Sequence, residues 1–515
     1  DFCLSRGLGD VYKRQGMNSG DIVGQASRFR DYQAICERAE IIMLDSQART
    51  GARGFQANGE AGKLIHGLLG WDKLIPESTA MYNAGQPSFR VASKPEPEVR
   101  LWAVEGFAGT IQPWWHHIGA YHEDRRQYRT AEPLFRWHEA NQEFLVDREP
   151  VATVGVAWSQ RCVDFYGRDD PEERVALPQR GIANALLRAR IPYVMVAADH
   201  VGRDAAGLRA LVLPDLGALS DDQCERVRDY VAGGGGLIAT GESSLYDAWG
   251  DRRPDFALAD LFGAHATGAH HGSSAGAEPG REPWSAHSYL RLHPELRAAV
   301  DGPHTPDEPP ADAARHPVLH GFEETDLLPF GGRLEVVRPS ADASVLLTYV
   351  PPFPVFPPET AWMRQPVTAV PALLVRDEPA GGRVAYLAAD LDRRFGRDNQ
   401  PDHAGLLANL VRWAARRRAS LAVDGPGLID CHLYRQPGRL ILHMVNLTNP
   451  GAWRGPVHEL ISVGPLRARI RLPEGVAGGH VRLLVSGATP PAEIVGGWVA
   501  FEVPNVLDHE VAVVS

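Results

Sequence analysis

The sequence predicts a multidomain α/β protein that ends in a β-sandwich, and three observations lead to this prediction. From residue 16 to 149, short apolar runs alternate with amphipathic stretches, as in a (β/α)8 TIM barrel. Residues 150–419 show a βαβαβ pattern, which is typical of a doubly wound parallel sheet. Residues 420–515 contain short alternating runs separated by Gly, Pro and Asn turns, which indicate a small β-sandwich.

Length and charge set limits on the function. A chain of 515 residues is long enough for about three domains of ~100–200 residues each. The formal net charge of −11 argues against a nucleic-acid partner or an anionic membrane surface. The five cysteines are scattered, without the close pairs of metal sites or disulfide frameworks. No apolar run approaches the ~20 residues of a membrane span. We therefore expect a cytoplasmic protein without a cofactor.

The first 15 residues differ from everything that follows. Their sequence, DFCLSRGLGDVYKRQ, resembles a translated sequencing adapter, and we exclude it from fold reasoning. On this interpretation the gene was cut upstream, and the domain that begins at residue 16 begins in its middle. The alternative is a natural disordered N-terminus.

The segment 16–149 predicts about four strands, which is half of an eight-stranded barrel. The runs that predict them are Gly16–Asp21, Ala39–Asp45, Ser88–Ser93 and Thr110–Trp115. Each run ends in polar or aromatic residues. Because barrel enzymes build their sites at the carboxyl ends of the strands, we expect the functional site there.

Aromatic and polar side chains are densest at the end of the last predicted strand. Flat aromatic faces stack on sugar rings and polar tips bind hydroxyl groups, which indicates carbohydrate binding. The alternative is that the tryptophans pack under a neighbouring loop, and adjacent strand residues do point to opposite faces. The predicted binding residues are Asn18, Gln112, Trp114, Trp115, His116 and His117.

A metal site in the same cluster would use His116, His117 and His122. Adjacent histidines in a strand diverge, and no acidic residue stands at a recognised ligand spacing. We therefore predict no metal ion at these histidines.

Glycoside hydrolysis requires two carboxyl groups that flank the scissile bond. Asp45 ends a predicted strand and is best placed by the barrel rule. Glu96 and Glu98 stand between prolines in a predicted loop above the site, and are further candidates. Glu105 is predicted to be a helix residue that packs against the sheet, and Glu123 is a weaker candidate.

The predicted doubly wound domain, 150–419, carries an irregular Gly, His, Pro and Ala-rich insertion around residues 264–317. Its fold class is also that of glutamine amidotransferases, which place a nucleophile on a tight turn after a strand. The equivalent turn here, at Gly241, has no cysteine. Ser243 or Ser244 could replace it, but no apposed His and acid are evident. We predict that this domain is an association module.

The run EVRLWAVEGFAGTIQPWW, residues 98–115, resembles the seventh helix and eighth strand of the β-galactosidases of glycoside hydrolase family 42. The order of domains is also similar to that family and to hypothetical glycosyl hydrolases with a β-galactosidase trimerisation domain. The resemblance implies the C-terminal half of a TIM barrel, a flavodoxin-like trimerisation domain and a β-sandwich. It also implies a homotrimer that acts on carbohydrate.

One position departs from the resemblance. In that family the nucleophilic glutamate closes the seventh strand, and matching SFRVASK to that strand places Ser93 at this position. The acid/base glutamate of the family belongs to the fourth strand, upstream of this chain. Two hypotheses therefore remain: a β-galactosidase-like glycoside hydrolase, or a non-catalytic carbohydrate-binding or assembly protein.

Overall fold

Two compact units make up the described part of the chain. One consists of Asp1–Val151 together with Leu421–Ser515, and the other of Ala152–Ser420. None of the helices that are described has the length and apolar content needed to span a bilayer. The computed structural model describes residues 16–18, 31–39, 41–45, 54–73, 75–80, 82–83, 89–116, 123–272, 287–299, 316–354, 357–379, 381–448 and 457–515.

The N-terminal segment of the first unit alternates strands and helices. Strand β1 pairs with β2 and β3 pairs with β6, both in parallel. The Leu44 N–H donates to the Pro76 carbonyl at 2.9 Å and joins β2 to β3. The elements are β1 (Gly16–Asn18), α1 (Tyr32–Arg38), β2 (Ile41–Met43), α2 (Gln56–Leu69), β3 (Ile75–Ala80), β4 (Tyr82–Asn83), β5 (Phe89–Ser93), α3 (Glu96–Ala108), β6 (Ile111–His116), α4 (Arg126–Ala140), α5 (Gln142–Leu145) and β7 (Glu149–Pro150).

The third parallel strand is not the one that the sequence predicts. The run Ser88–Ser93 corresponds to β5, which pairs antiparallel with β4 and not with β6. Its apolar residues Phe89 and Val91 are more than half exposed. The parallel partner of β6 is β3, whose sequence IPESTA carries neither alternation nor a continuous apolar run.

Helix α3 is buried around most of its surface. It begins after Pro95 with a second proline in its first turn, and ends at Gly109, as expected for helix boundaries. Helix α2 crosses its end closely, because a Cβ atom on Gly62 would lie 2.3 Å from the Gly109 carbonyl oxygen. Residues 101–108 are all buried, which is the pattern of a helix packed between two layers.

The second unit contains a nine-stranded sheet flanked by helices. Its elements are β8 (Val154–Trp158), α6 (Leu177–Arg188), β9 (Tyr193–Ala197), α7 (Val201–Asp204), β10 (Ala210–Leu213), α8 (Asp221–Ala232), β11 (Gly236–Thr240), α9 (Ala259–Phe262), β12 (Ala264–His271), β13 (Tyr289–Leu292), β14 (Leu327–Pro329), β15 (Leu334–Pro339), β16 (Ser344–Val350), β17 (Pro371–Asp377), β18 (Arg383–Leu387), α10 (Leu391–Asp398) and α11 (Pro401–Ala414). Short π-helical turns cover Cys162–Tyr166 and Glu172–Ala176, and 3-10 turns cover Ala198–His200, Pro294–Ala299, Pro317–Leu319 and Pro358–Thr360.

Five parallel strands form the centre of this sheet in the order β9-β8-β10-β11-β18. Numbered along the chain, the order is 2-1-3-4-5, which is the order of flavodoxin-like sheets. Strands β8, β9, β10 and β11 are buried along their whole length, because helices cover both faces of such a sheet. Strands β17, β16, β13 and β14 continue it in antiparallel fashion.

The range 264–317, predicted as an irregular insertion, contains regular structure in its described part. Strand β12 pairs with β15, and β13 belongs to the nine-stranded sheet. Residues 273–286 and 300–315 lie outside the described residues. The composition alone did not reveal these strands, since β12 is rich in Ala, Gly and His.

The C-terminal segment is a sandwich of two antiparallel sheets. Its strands are β19 (Leu421–Asp424), β20 (Ile429–Gln436), β21 (Arg439–Asn446), β22 (Leu466–Arg471), β23 (Val481–Leu483), β24 (Glu493–Val495), β25 (Trp498–Val503) and β26 (His509–Val514). One sheet has the order β19-β22-β25-β24, and the other β23-β26-β21-β20-β7. Along β20, Ile429, Cys431 and Leu433 join the apolar core of the sandwich. The prediction of a mixed α/β multidomain protein is confirmed.

Candidate functional site

The carboxyl ends of the parallel strands of the first unit gather several predicted site residues. Asn18 ends β1 opposite Met43 in the register, and His116 ends β6 opposite Ala80. Asp45 follows β2 and is half-buried, while Trp114 is 40% exposed. An accessible indole suits the binding of a sugar ring. The side chains of Asn18, Trp115 and His116, and the whole of His117 and His122, lie outside the described residues.

Gln112 lies near the opposite end of β6. Its side-chain Oε1 accepts a hydrogen bond from the Ile75 N–H at 3.0 Å, and its Nε2 donates to the Thr110 carbonyl at 3.4 Å. Ile75 is the first residue of β3. The amide of Gln112 therefore holds the beginnings of two strands together, which is a structural contact.

Ser93, the residue predicted to stand at the nucleophile position, anchors the start of helix α4. Its N–H donates to Asp124 Oδ2 at 2.9 Å, and its Oγ accepts from the Gln127 N–H at 3.2 Å. The hydrogen bond from Arg126 holds the pKa of the Asp124 carboxyl well below its usual range. Ser93 is buried and lies in β5, outside the parallel sheet.

Glu96 and Glu98 lie in the first turn of helix α3 and not in a loop. Carboxylates at this position interact favourably with the positive end of the helix dipole. Glu98 Oε2 also accepts from the Val457 N–H at 3.2 Å, and Glu96 is exposed. Glu123 is exposed and precedes α4.

Glu77 is a carboxylate that the sequence analysis missed. It lies in β3, opposite Pro113 of β6 in the register. Strand β3 follows β2 in the parallel order, and β6 carries Trp114. Glu77 therefore lies in the strand between β2, which leads to Asp45, and β6, which carries Trp114. The Glu-Ser-Thr run, unusual for a strand of a parallel sheet, was the signal that could have revealed it.

The second unit has its own cluster of charged residues at the carboxyl ends of its parallel strands. Asp215 follows β10 with φ of 45°, and its carboxylate accepts from Arg393 and from the Glu242 N–H at 2.7 Å. Arg393 also donates to Asp390 Oδ2 at 2.7 Å. Gly241 is required here, because a Cβ atom would lie 2.5 Å from Asp215 Oδ1. All four charged side chains are buried.

Two further carboxylates of this cluster are held by arginine and hydroxyl groups. Arg333 donates to Glu242 Oε1 at 3.0 Å and to Glu335 Oε1 at 2.9 Å. Burial and the Glu242 charge raise the pKa of Glu335 to about 7. Burial and the Asp215 charge raise the pKa of Asp392, which accepts from the Thr240 hydroxyl, to about 7. The carboxylates are thus bonded within the protein.

The two serines considered as nucleophiles are closed off from solvent. Ser243 and Ser244 are 0% exposed. Ser243 Oγ lies 2.8 Å from the Thr240 carbonyl and accepts from the Leu216 N–H at 3.0 Å. Ser244 Oγ accepts from the Leu258 N–H at 3.2 Å. Neither hydroxyl has the access and the neighbouring base that an activated nucleophile needs.

Solved glycosidase structures share the fold of this chain. An α-L-fucosidase, isoenzyme 2 from Paenibacillus thiaminolyticus, matches with a TM-score of 0.66 and 16% identity over 92% of this chain and 65% of its own. A β-galactosidase from Bacillus circulans sp. alkalophilus matches with a TM-score of 0.63 and 16% identity over 94% and 62%. A GH42 β-galactosidase from G. stearothermophilus matches with a TM-score of 0.61 and 15% identity over 94% and 60%.

These likenesses concern the fold, because the sequence identities are low. The chain spans about three fifths of the length of the solved structures that it matches. No family model matches the sequence, and a search of curated proteins found no match.

Proposed function

We propose that this chain is the C-terminal portion of a β-galactosidase-like glycoside hydrolase. The proposal rests on the position of Glu77 in β3. This parallel strand lies between β2, which leads to Asp45, and β6, which carries Trp114. The resemblance to family 42 implies a nucleophilic glutamate on the seventh strand. With β6 as the eighth strand, β3 takes the seventh place and supplies that glutamate.

The remaining roles follow from this assignment. Glu77 is the proposed nucleophile, and Trp114 the stacking surface for the sugar ring. Asp45 is proposed to bind a substrate hydroxyl. The acid/base carboxyl group is proposed to come from a strand encoded upstream of residue 16, as the resemblance implies. Double displacement by two such groups retains the anomeric configuration.

The comparisons support the class of reaction. The matched proteins are described as a fucosidase and β-galactosidases, and a glycoside hydrolase is therefore the class that we propose. Because each match covers only part of the other protein, the activity is proposed for the complete gene product and not for residues 16–151 alone. Half a barrel would leave sheet edges unpaired.

The experiment is an assay of the complete gene product against a panel of aryl glycosides, with β-galactosides and α-fucosides included. We expect release of the aryl group from at least one β-glycoside. Binding of oligosaccharides without release from any member of the panel would favour the alternative, a non-catalytic carbohydrate-binding or assembly protein.

We also propose that the complete protein is a homotrimer, as the resemblance implies. Helix α11 does not supply the interface, because its apolar residues Leu406, Leu407 and Leu410 are buried inside the second unit. Exposed Trp249 and Trp362, at 67% and 54%, are better candidates, since aromatic residues are enriched at interfaces. Light scattering should give three times the chain mass, and a monomeric mass would contradict the proposal.

A further inference from the structure

A cluster of buried polar residues lies inside the first unit, between the five-stranded sheet of the sandwich and the helices α2 and α3. Asp430 and His432 are two residues apart on β20, so both point away from the sandwich core that Cys431 joins. Glu105 enters from α3. The three side chains are buried, with Glu105 at 0% exposure.

The three side chains converge on one point. His432 Nε2 lies 3.1 Å from Asp430 Oδ2 and 3.9 Å from Glu105 Oε2. One ligand atom from each residue lies within 4.8 Å of the other two. Neither Glu105 oxygen has a hydrogen-bond partner among the described residues, whereas His432 Nε2 is paired with Asp430. Since buried carboxyl groups are normally bonded or paired, the Glu105 carboxyl group points to a ligand at this place.

Helix α2 closes the cluster from the other side. A Cβ atom on Gly59 would lie 3.0 Å from Glu105 Oε2 and 3.3 Å from His432 Cε1, so glycine leaves the space that these groups need. Lys63 of α2 is buried nearby, and its ammonium interacts with the charges of Asp430 and Glu105.

We propose that Glu105, Asp430 and His432 bind one divalent metal ion, and that the ion is zinc. Zinc accepts imidazole and carboxylate ligands at ~2.0–2.2 Å. Tetrahedral ligands at that distance are about 3.3 Å apart, which lies between the 3.1 Å and 3.9 Å that separate His432 Nε2 from the two carboxyl groups. Two carboxylates and a neutral imidazole balance the charge of the ion. The ion would connect α3 to β20 and so tie the N-terminal segment to the sandwich.

The test uses the 515-residue chain after removal of metals with a chelator. Zinc is titrated against a competing chromophoric chelator, and bound metal is measured by mass spectrometry. We expect one zinc per chain, and an affinity at least about 100-fold weaker in Glu105→Gln. The matched control is His443→Gln, because His443 is buried and stands opposite His432 in the register. It should bind zinc like the unmodified chain.

A second measurement does not depend on the folding of a variant. Zinc added to the metal-free chain should raise the thermal denaturation midpoint. Absence of zinc binding, or equal binding by the chain and a folded Glu105→Gln variant, would overturn the proposal. Equal binding by the two proteins would mean that surface histidines, and not this cluster, bind the zinc.

Discussion

The two units each present the carboxyl ends of parallel strands, where sites form in both barrels and doubly wound sheets. In the first unit these ends carry a half-buried Asp45 and an exposed Trp114. In the second unit they carry Asp215 and Asp390, which are buried and bonded to Arg393. The strand ends of the first unit, called the open end below, thus carry an exposed indole, and those of the second unit, called the closed end, carry buried ion pairs. Topology shows where a site can form, and side chains decide whether it does.

The largest effect is expected at the open end. In the complete gene product, Glu77→Gln should lower turnover by at least about 10³-fold, because the nucleophile is lost. Ser93→Ala and Glu98→Gln are the matched controls, since one anchors α4 and the other binds the Val457 N–H. Both should retain turnover within about tenfold. Equal losses in the three variants would contradict the assignment.

The next effect concerns the closed end. Arg393→Met should destabilise the second unit by about 3–5 kcal/mol, because it leaves the buried carboxylates of Asp215 and Asp390 without their partner. Urea denaturation followed by circular dichroism measures the loss. An unchanged midpoint would show that this cluster is not a structural ion-pair network.

The raised pKa values of the closed end predict a pH dependence with a definite sign. Burial and the charge of Asp215 raise the pKa of Asp392 in the folded protein to about 7, from an ordinary value of 3.8. Between these values the folded state binds the extra proton, so the contribution of this group to stability falls as pH rises from about 4 to 7. The upper limit is about 1.4 kcal/mol per pH unit for one proton. Asp392→Asn should flatten this slope, and a steeper slope would contradict the account.

Removal of one hydroxyl at the closed end should affect stability and not chemistry. Ser243→Ala leaves the buried Leu216 N–H without its acceptor, which costs about 1–3 kcal/mol of unfolding free energy. Ammonia release from glutamine should be absent both before and after the change. Glutaminase activity that disappears in Ser243→Ala or Ser244→Ala would restore the amidotransferase hypothesis.

The smallest effect is expected from the stacking surface. Trp114→Ala in the complete protein should weaken binding of the hydrolysed sugar by about tenfold, through loss of a flat apolar face. Tyr128→Ala removes another exposed aromatic ring, at 47% exposure in helix α4, and should change affinity little. Isothermal titration calorimetry compares the two variants, and equal affinities would remove Trp114 from the site.

The sequence predicted the alternation of strands and helices, the doubly wound sheet and the sandwich because hydrophobic periodicity reports burial. The prediction failed for segments whose hydrophobic pattern does not reflect their place in the fold. Strand β5 reads as a strand of the sheet, yet Phe89 and Val91 are exposed. Strand β3 is polar and was missed, and Glu77 was missed with it. Ser93 was therefore matched to a strand outside the parallel sheet.

The candidate metal site shows a second limit. Asp430 and His432 lie on one face of β20 because they are two residues apart, and a strand prediction from the sequence is enough to show this. Glu105 reaches them only because α3 packs on that sheet, and no local pattern predicts which helix covers which sheet face. Tertiary packing brings such residues together, so a cluster of residues that are far apart in the chain could not be predicted from the sequence.

Covalent trapping tests the central claim most directly. A retaining enzyme forms a glycosyl-enzyme intermediate, so a 2-deoxy-2-fluoro analogue of the hydrolysed glycoside should label the complete gene product once per chain. Peptide mapping by mass spectrometry should then place the sugar on Glu77. A label on Glu96, on Glu98 or on any residue of the second unit, or hydrolysis without any label, would contradict the account.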